Sequence, residues 1–119
     1  MPNTFVDFTE EKYTVSATST DTHALPVDIL QSPHVFVAIE FLDSGSAVVT
    51  PTAGTYDITV QPNGMSNFNT IIDGSAIDAT AAVDNLSFNS NVKALKYTPT
   101  AIAGNDVTSV VINVSANKG

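Results

Sequence analysis

Apolar and polar residues alternate along much of this chain, with the two-residue period of a β-strand that buries one face. The stretch HVFVAIEFL at 34–42 has fairly apolar residues on both faces, which predicts a central strand. The stretch TYDITVQP at 55–62 predicts a half-buried strand that ends at Pro62, because proline cannot donate a ladder hydrogen bond. The predicted core positions of these two strands are Val35, Val37, Ile39 and Phe41 in the first and Tyr56, Ile58 and Val60 in the second.

Two further strands are predicted toward the C-terminal end. The stretch VKALKYTP at 92–99 places Lys93, Leu95 and Tyr97 on one face and Val92, Ala94 and Lys96 on the other. The two lysines therefore point in opposite directions, and one of them is expected to cover a strand edge, where charge discourages pairing with another chain. After a Gly-Asn-Asp break, the stretch VTSVVINVSA at 107–116 directs Val110, Ile112 and Val114 to the core.

Short strands about ten residues apart, separated by Gly, Pro, Asn, Asp and Ser, predict an all-β fold. We expect a single antiparallel β-sandwich, Ig-like or jelly-roll-like, with a polar N-terminal arm and at most one short helix. Residues 1–22 form that arm or the first edge strands, and residues 23–119 form the sandwich domain. The stretch SAIDATAAVDN at 75–85 is predicted as a short helix or turn, since Ser75 and Asp78 resemble a capping pair; the alternative is a strand at 76–80.

Charge narrows the range of partners. The 119 residues contain 12 acidic residues and 4 lysines or arginines, for a formal net charge of -8, and no cation lies between Tyr13 and Val92. Nucleic acids and anionic membranes bind through clustered cations, so neither is an expected partner. The absence of cysteine excludes disulfides, thiolate zinc sites and cysteine nucleophiles. No apolar run is long enough for a membrane helix, and the first residues do not resemble a signal peptide.

Candidate catalytic and metal-binding groups are sparse. A catalytic histidine needs a nucleophile close to it in space, which spacing along the chain does not show, so we interpret His34 as an ordinary residue at a strand start and His23 as part of a polar segment. No Walker, dinucleotide, HExxH or GxSxG motif occurs. Asp73, Asp78 and Asp84 do not match a calcium loop, so solvated turn aspartates are a better interpretation than a surface calcium site. The absence of these enzyme motifs excludes only the enzyme classes that carry them. We assign no catalytic, metal-binding or cofactor-binding residue and expect no cofactor.

One loop is a candidate recognition surface. The stretch QPNGMSNFNT at 61–70 combines turn residues with a methionine and an aromatic residue among asparagines, a composition that can contact a sugar or a partner protein and is also ordinary for a long β-connection. The candidate partner or ligand contacts are Asn63, Met65, Asn67 and Phe68 in this loop, together with Lys93 and Lys96.

The succession VTPTAGTYDITVQPNG and NLSFNSNVKALKYTPTAIAGNDVTSVVINVSAN resembles small β-sandwich structural proteins of tailed bacteriophage virions, over residues 34–117. The resemblance implies a non-enzymatic virion component, foremost a capsid decoration (cement) protein that stabilises the shell through protein contacts. Its partners would be the major capsid protein or other virion proteins, and its location the virion, assembled in the host cytoplasm. On this hypothesis Lys93 and Lys96 are scaffold residues, one of which forms an ion pair between subunits.

Alternatives to the decoration protein are a tail or fibre accessory protein and a carbohydrate- or receptor-binding module. The binding module would use the 61–70 loop and a calcium site at Asp73 or Asp78. A small sandwich is also expected to form a symmetric homo-oligomer, and a trimer is our expectation.

Overall fold

The computed structural model describes residues 8–25, 34–70, 74–81, 86–89 and 92–117. Within these ranges the chain forms ten β-strands and no helix, and hence no helix that is long and apolar enough to cross a membrane. The strands make two antiparallel sheets that pack together, so the predicted all-β antiparallel sandwich is confirmed. Sheet A contains β1 (Phe8–Ser16), β3 (His34–Asp43), β4 (Val48–Val49), β8 (Leu86–Asn89) and β10 (Val107–Asn117). Sheet B contains β2 (Asp21–Ala24), β5 (Ala53–Pro62), β6 (Asn69–Thr70), β7 (Ile77–Asp78) and β9 (Val92–Ala103).

The centre of each sheet is occupied by long strands. In sheet A, β10 lies between β1 and β3, and both β4 and β8 pair with the other edge of β3. In sheet B, β9 lies between β2 and β5, and both β6 and β7 pair with the other edge of β5. The turn at 104–106 therefore carries the chain from the centre of one sheet to the centre of the other.

The core consists of the inward-facing side chains of these strands. Val35, Val37 and Phe41 of β3 are buried and Ile39 is partly buried, as the alternation of the sequence predicts. Strand β3 pairs with other strands on both edges, which confirms its central position. The remaining predicted core residues, Tyr56, Ile58, Val60, Val110, Ile112 and Val114, are all buried.

A bulge interrupts the regular alternation of β9. The register of β5 against β9 shifts between Gln61 and Pro62, which leaves Lys93 as the extra residue. Val92 consequently belongs to the same buried cluster as Leu95, and the prediction that the two residues face opposite sides is wrong. The expected edge position of a lysine in this stretch is also wrong, because β9 is an interior strand.

The Ala-rich segment at 75–81 does not form a helix. Ile77 pairs with Tyr56 in the ladder between β7 and β5, and Ala76 has φ +50°, outside the helical region. Asp78 accepts hydrogen bonds from the backbone N–H and the hydroxyl of Thr80, which closes a turn rather than capping a helix. The short strand at 77–78 lies within the predicted alternative at 76–80.

The N-terminal segment is integrated into both sheets. Strand β1 pairs with β10 along all nine of its residues and forms the edge of sheet A, while β2 forms the facing edge of sheet B. The rings of Tyr13 and His23 stack 4.2 Å apart between these edges, and the Tyr13 hydroxyl donates to the Ala24 carbonyl. Residues 8–24 are thus edge strands with their connection, and residues 1–7 of the predicted arm lie outside the described residues.

Polar side chains face inward along this same side of the sandwich. Glu11 lies opposite Val114 on the core-facing side of β1, and Asp21 lies opposite Tyr97 on that of β2. Inward-pointing charge on an edge strand discourages another chain from adding a strand there. Among the described lysines, Lys12 lies on edge strand β1, and its ammonium lies 3.9 Å from a Glu10 carboxylate oxygen.

Two tyrosines at the centre of the core have differently placed hydroxyls. Tyr56 and Tyr97 are both buried, with ring centroids 5.8 Å apart. The Tyr97 hydroxyl donates to the buried carbonyl of Ala17 at 2.7 Å, whereas the Tyr56 hydroxyl has no hydrogen-bond partner among the described residues. Burial raises the pKa of Tyr56 to about 12 and raises that of Tyr97 further.

The turn between the last two strands requires glycine. Gly104 has φ +104°, and a Cβ at this position would lie 1.8 Å from the Thr52 hydroxyl oxygen. Thr52 donates its backbone N–H to the Ala103 carbonyl, so this loop is held against the end of β9. No larger residue fits here without moving the Thr52 backbone.

Candidate functional site

The predicted recognition loop connects β5 to β6 and stands at one end of sheet B. Its turn is closed by a hydrogen bond from the Met65 N–H to the Pro62 carbonyl, with Gly64 at φ +85°. The Gln61 side chain supports the loop by donating to the Met65 carbonyl at 2.9 Å. The loop is therefore ordered by local bonds, and it exposes Asn63, Met65 and Asn67, with 54% of Met65 accessible.

Phe68 returns from this loop toward the sheet and meets Lys96. The Lys96 ammonium lies 5.3 Å from the centroid of the Phe68 ring, within the range of a cation–π interaction. Both side chains are partly buried. The structure thus brings together two candidate contacts that are 28 positions apart in the sequence.

Lys96 stands in a row of small polar residues on the outer face of sheet B. The register pairs it with Thr22 of β2 on one side and Thr59 of β5 on the other. The next row pairs Thr98 with Asp57. Directly opposed residues of an antiparallel sheet share a face, so this surface places threonines and the carboxyl group of Asp57 around one cation. The Asp57 carboxylate accepts a hydrogen bond from the Ala76 N–H. We call Lys96, Phe68, Thr22, Thr59 and Thr98 the Lys96 platform.

Lys93 does not share this environment. It occupies the bulge of β9, and its carbonyl accepts a hydrogen bond from the Leu25 N–H. Within the described ranges, the salt bridge that involves a lysine is the one between Lys12 and Glu10. Neither Lys93 nor Lys96 has a carboxylate of the described residues within 4 Å, so an ion pair between subunits stays a prediction for both.

A second surface feature is an apolar groove of about 290 Å³ between the two sheets, on the side opposite β1 and β2. Val48 stands exposed beside it, with 66% of its surface accessible, whereas Phe41 and Tyr56 in its lining are buried. Five segments line the groove: β3, β4, the segment that follows β4, β5 and the turn after β7. The lining residues include Ile39, Phe41, Val48, Pro51, Tyr56 and Ala79. In the sequence these residues cannot be distinguished from apolar residues that fill a core, so the groove was not predicted.

Asp43, Asp78 and Asp106 stabilise loops through hydrogen bonds. Asp78 and Asp106 are exposed, and hydrogen bonds hold the pKa of each below its usual value, from Thr80 for Asp78 and from the Ser44 hydroxyl and N–H for Asp106. Asp43 accepts bonds from two N–H groups of its own turn. Asp73 and Asp84 lie outside the described residues. In the part of the chain that the structure describes, no three His, Cys, Asp or Glu side chains converge as metal ligands.

His23 is set apart from ordinary surface histidines by its stacking on Tyr13. Burial lowers its pKa, and the neighbouring Asp21 carboxylate opposes that shift. Its Nε2 atom is buried without a hydrogen-bond partner among the described residues, as is Oδ2 of Asp21. The pKa of Tyr13 is raised by burial and by Glu11. His34 lies at the start of β3, as its position after Pro33 indicates.

Comparison with known proteins gives a family and one distant structure. A solved structure from work on Bacillus endospore appendages, described as forming a novel family of disulfide-linked pili, aligns with a TM-score of 0.43 at 12% identity, covering 100% of this chain and 96% of that chain. A likeness at this level carries no argument about function. No curated protein matches the chain. The model of the Domain of unknown function (DUF7265) family matches residues 8–118, and the chain therefore belongs to that family.

Proposed function

We propose that this protein is a non-enzymatic structural component that stabilises an assembly through protein–protein contacts, most specifically a capsid decoration protein of a tailed phage. The virion assignment rests on the resemblance of residues 34–117 to phage sandwich proteins. The assembly function is supported by the apolar groove beside β4, where Val48 is exposed although its neighbours Phe41 and Tyr56 are buried. A contiguous apolar patch is typical of a contact site for another protein, and Val48 together with the apolar residues of the groove would form such a patch.

The contrast between the two open sides of the sandwich supports a contact at the groove. The side formed by β1 and β2 carries Glu11, Asp21 and the stacked His23, groups that resist the approach of another strand. Most of the residues that line the groove are apolar, although its accessible surface includes polar atoms as well, and Glu40 is the one charged residue among the described residues that form it. An assembly partner therefore meets less desolvation of charge at the groove than at the opposite side.

The test is the molar mass in solution by light scattering over a concentration series, with and without calcium, followed by co-sedimentation with phage capsids. We expect a defined oligomer, a trimer, that is indifferent to calcium and binds capsids. The Val48→Asp variant should weaken the contact, while Thr100→Asp on the outer face of sheet B should not. A chain that stays monomeric at every concentration and does not sediment with capsids would contradict the proposal.

The second candidate function is a carbohydrate- or receptor-binding module, which the contact between Phe68 and Lys96 favours. An aromatic ring and a cation beside an ordered loop of exposed amides provide both an apolar surface and polar contacts for a ligand. A tail or fibre accessory protein could use either surface. Thermal stability separates the two functions, because a ligand that binds the folded state alone raises it.

A further inference from the structure

Lys96 holds an unusual position for a surface lysine. It lies on an interior strand, partly buried, between threonines of the two neighbouring strands, and its ammonium is directed to the Phe68 ring. No carboxylate of the described residues lies within 4 Å of it, although acidic residues outnumber lysines 12 to 4 in this chain. An ammonium has three donors, and a π face stabilises its charge without accepting a conventional hydrogen bond. The nearest carboxyl group that the register places on this face is that of Asp57 in the next row, and it accepts a hydrogen bond from the Ala76 N–H. Within the part of the chain that the structure describes, the ammonium donors are therefore not paired with a carboxylate and can meet an anion.

The surroundings restrict what that anion carries. The Phe68 ring offers an apolar surface, on which the C–H groups of a flat ligand can lie. Thr22, Thr59 and Thr98 offer hydroxyls on two adjacent rows of the sheet, and each hydroxyl can donate and accept. A simple inorganic anion would use the lysine alone. A ligand that uses all three features has a carboxylate, an apolar ring face and several hydroxyls.

We propose that the Lys96 platform binds a sugar that bears a carboxylate, such as a hexuronic acid unit of a glycan. The carboxylate pairs with the Lys96 ammonium, a ring face lies against Phe68, and the sugar hydroxyls bond to the threonines. This proposal rests on the ligand-binding function described as the second candidate and is independent of the assembly function.

Net charge further limits the ligand. At a formal charge of -8 the protein repels polyanions. For a sulfated polysaccharide or a nucleic acid, this repulsion offsets the binding free energy from the single contact with Lys96. A glycan with isolated carboxylates avoids most of that repulsion. Salt weakens the single ion pair with Lys96 and also screens the repulsion from the net charge, so affinity should change only modestly between low and physiological salt concentration.

The experiment is a heteronuclear NMR titration of the isotope-labelled protein with glucuronic acid, with glucose and acetate as separate probes. We expect saturable shifts at the backbone amides of Thr22, Thr59 and Lys96 with glucuronic acid, and weaker ones or none with glucose and with acetate. Lys96→Met should weaken binding roughly tenfold or more, the range expected for loss of a charged hydrogen bond. Lys93→Met removes a lysine of the same strand that is placed at the bulge, so it should bind like the parent protein.

Phe68→Leu supplies an independent variant. It keeps an apolar side chain but removes the flat ring, so it should weaken binding of glucuronic acid and leave any response to acetate unchanged. The proposal is overturned if glucose binds as well as glucuronic acid, if acetate alone reproduces the shifts, or if Lys96→Met binds normally. None of these outcomes affects the molar mass or capsid binding, so this proposal and the assembly function fail separately.

Discussion

The paired tyrosines of the core permit a direct measurement of what one buried hydrogen bond contributes. Tyr97→Phe removes a hydroxyl that donates to the Ala17 carbonyl at 2.7 Å, and it leaves that carbonyl buried without this donor. Loss of one partner of a buried bond costs about 1–3 kcal/mol. Tyr56→Phe removes a hydroxyl that is equally buried but has no partner among the described residues. Its removal relieves a desolvation penalty, so the variant should be as stable as the parent or up to about 1 kcal/mol more stable.

The assay is urea unfolding, together with thermal unfolding, followed by far-UV circular dichroism, since the chain has no tryptophan. An unfolding entropy of about 2.1 cal/mol/K per residue gives roughly 250 cal/mol/K for 119 residues, so 1 kcal/mol corresponds to about 4 °C in Tm. Tyr97→Phe should lower Tm by about 4–12 °C on this scale, whereas Tyr56→Phe should leave it unchanged or raise it. Equal destabilisation by both variants would refute the reasoning, because it would mean that the Tyr56 hydroxyl has a partner.

Three further predictions concern the turn, the edge and the histidine. Gly104→Ala should lower the free energy of unfolding by several kcal/mol, because the cost of a positive φ is added to the cost of overlap with the Thr52 backbone. Gly64→Ala has a positive φ but open space around the new Cβ, so it should cost about 1–2 kcal/mol in the same urea unfolding assay. Equal costs would contradict the close approach of Gly104 to Thr52. Glu11→Val should increase self-association in sedimentation velocity by removing inward charge from edge strand β1, and Thr100→Val on the outer face of interior strand β9 should not; the same mass for both variants would argue against an edge effect. Burial lowers the pKa of His23, so the unfolded chain binds a proton more readily than the folded chain, and the free energy of unfolding should decrease as the pH falls below about 6.5. The urea midpoints at pH 7.5 and 5.5 should therefore differ less in His23→Gln than in the parent protein. An unchanged difference would exclude His23 as the cause.

The long strands were predictable because their pattern is local. In β3, β5 and β10 the predicted inward residues are apolar, and turn residues flank each strand. Residues 34–42, 55–62 and 107–116 can therefore be recognised as strands from the local sequence. The bulge at Lys93 was not predictable, since it depends on the register that β9 adopts against β5. The alanines at 76–81 favour a helix by propensity, but the pairing of Ile77 with Tyr56 overrides that preference.

The candidate site was predictable in part. Its loop residues could be chosen from turn composition, and Met65 is indeed exposed. Lys96 was selected only for its charge, and its partner Phe68 follows from the sheet register, which no spacing in the sequence reveals. The groove beside β4 draws on segments far apart in the chain, so its residues resemble core positions when they are considered one at a time.

The turn at 104–106 has a consequence for how the chain folds during synthesis. Strands β9 and β10 on its two sides supply the central strand of each sheet, and β10 is the only partner of β1 among the described strands. Strands β1, β3 and β5 leave the ribosome long before those partners exist. Neither sheet can close until β9 and β10 have emerged, and folding that depends on such distant pairings is slow. The earlier strands are thus exposed to chaperones or to other chains for most of translation, and the inward charges near β1 and β2 protect the nascent chain as well as the finished domain.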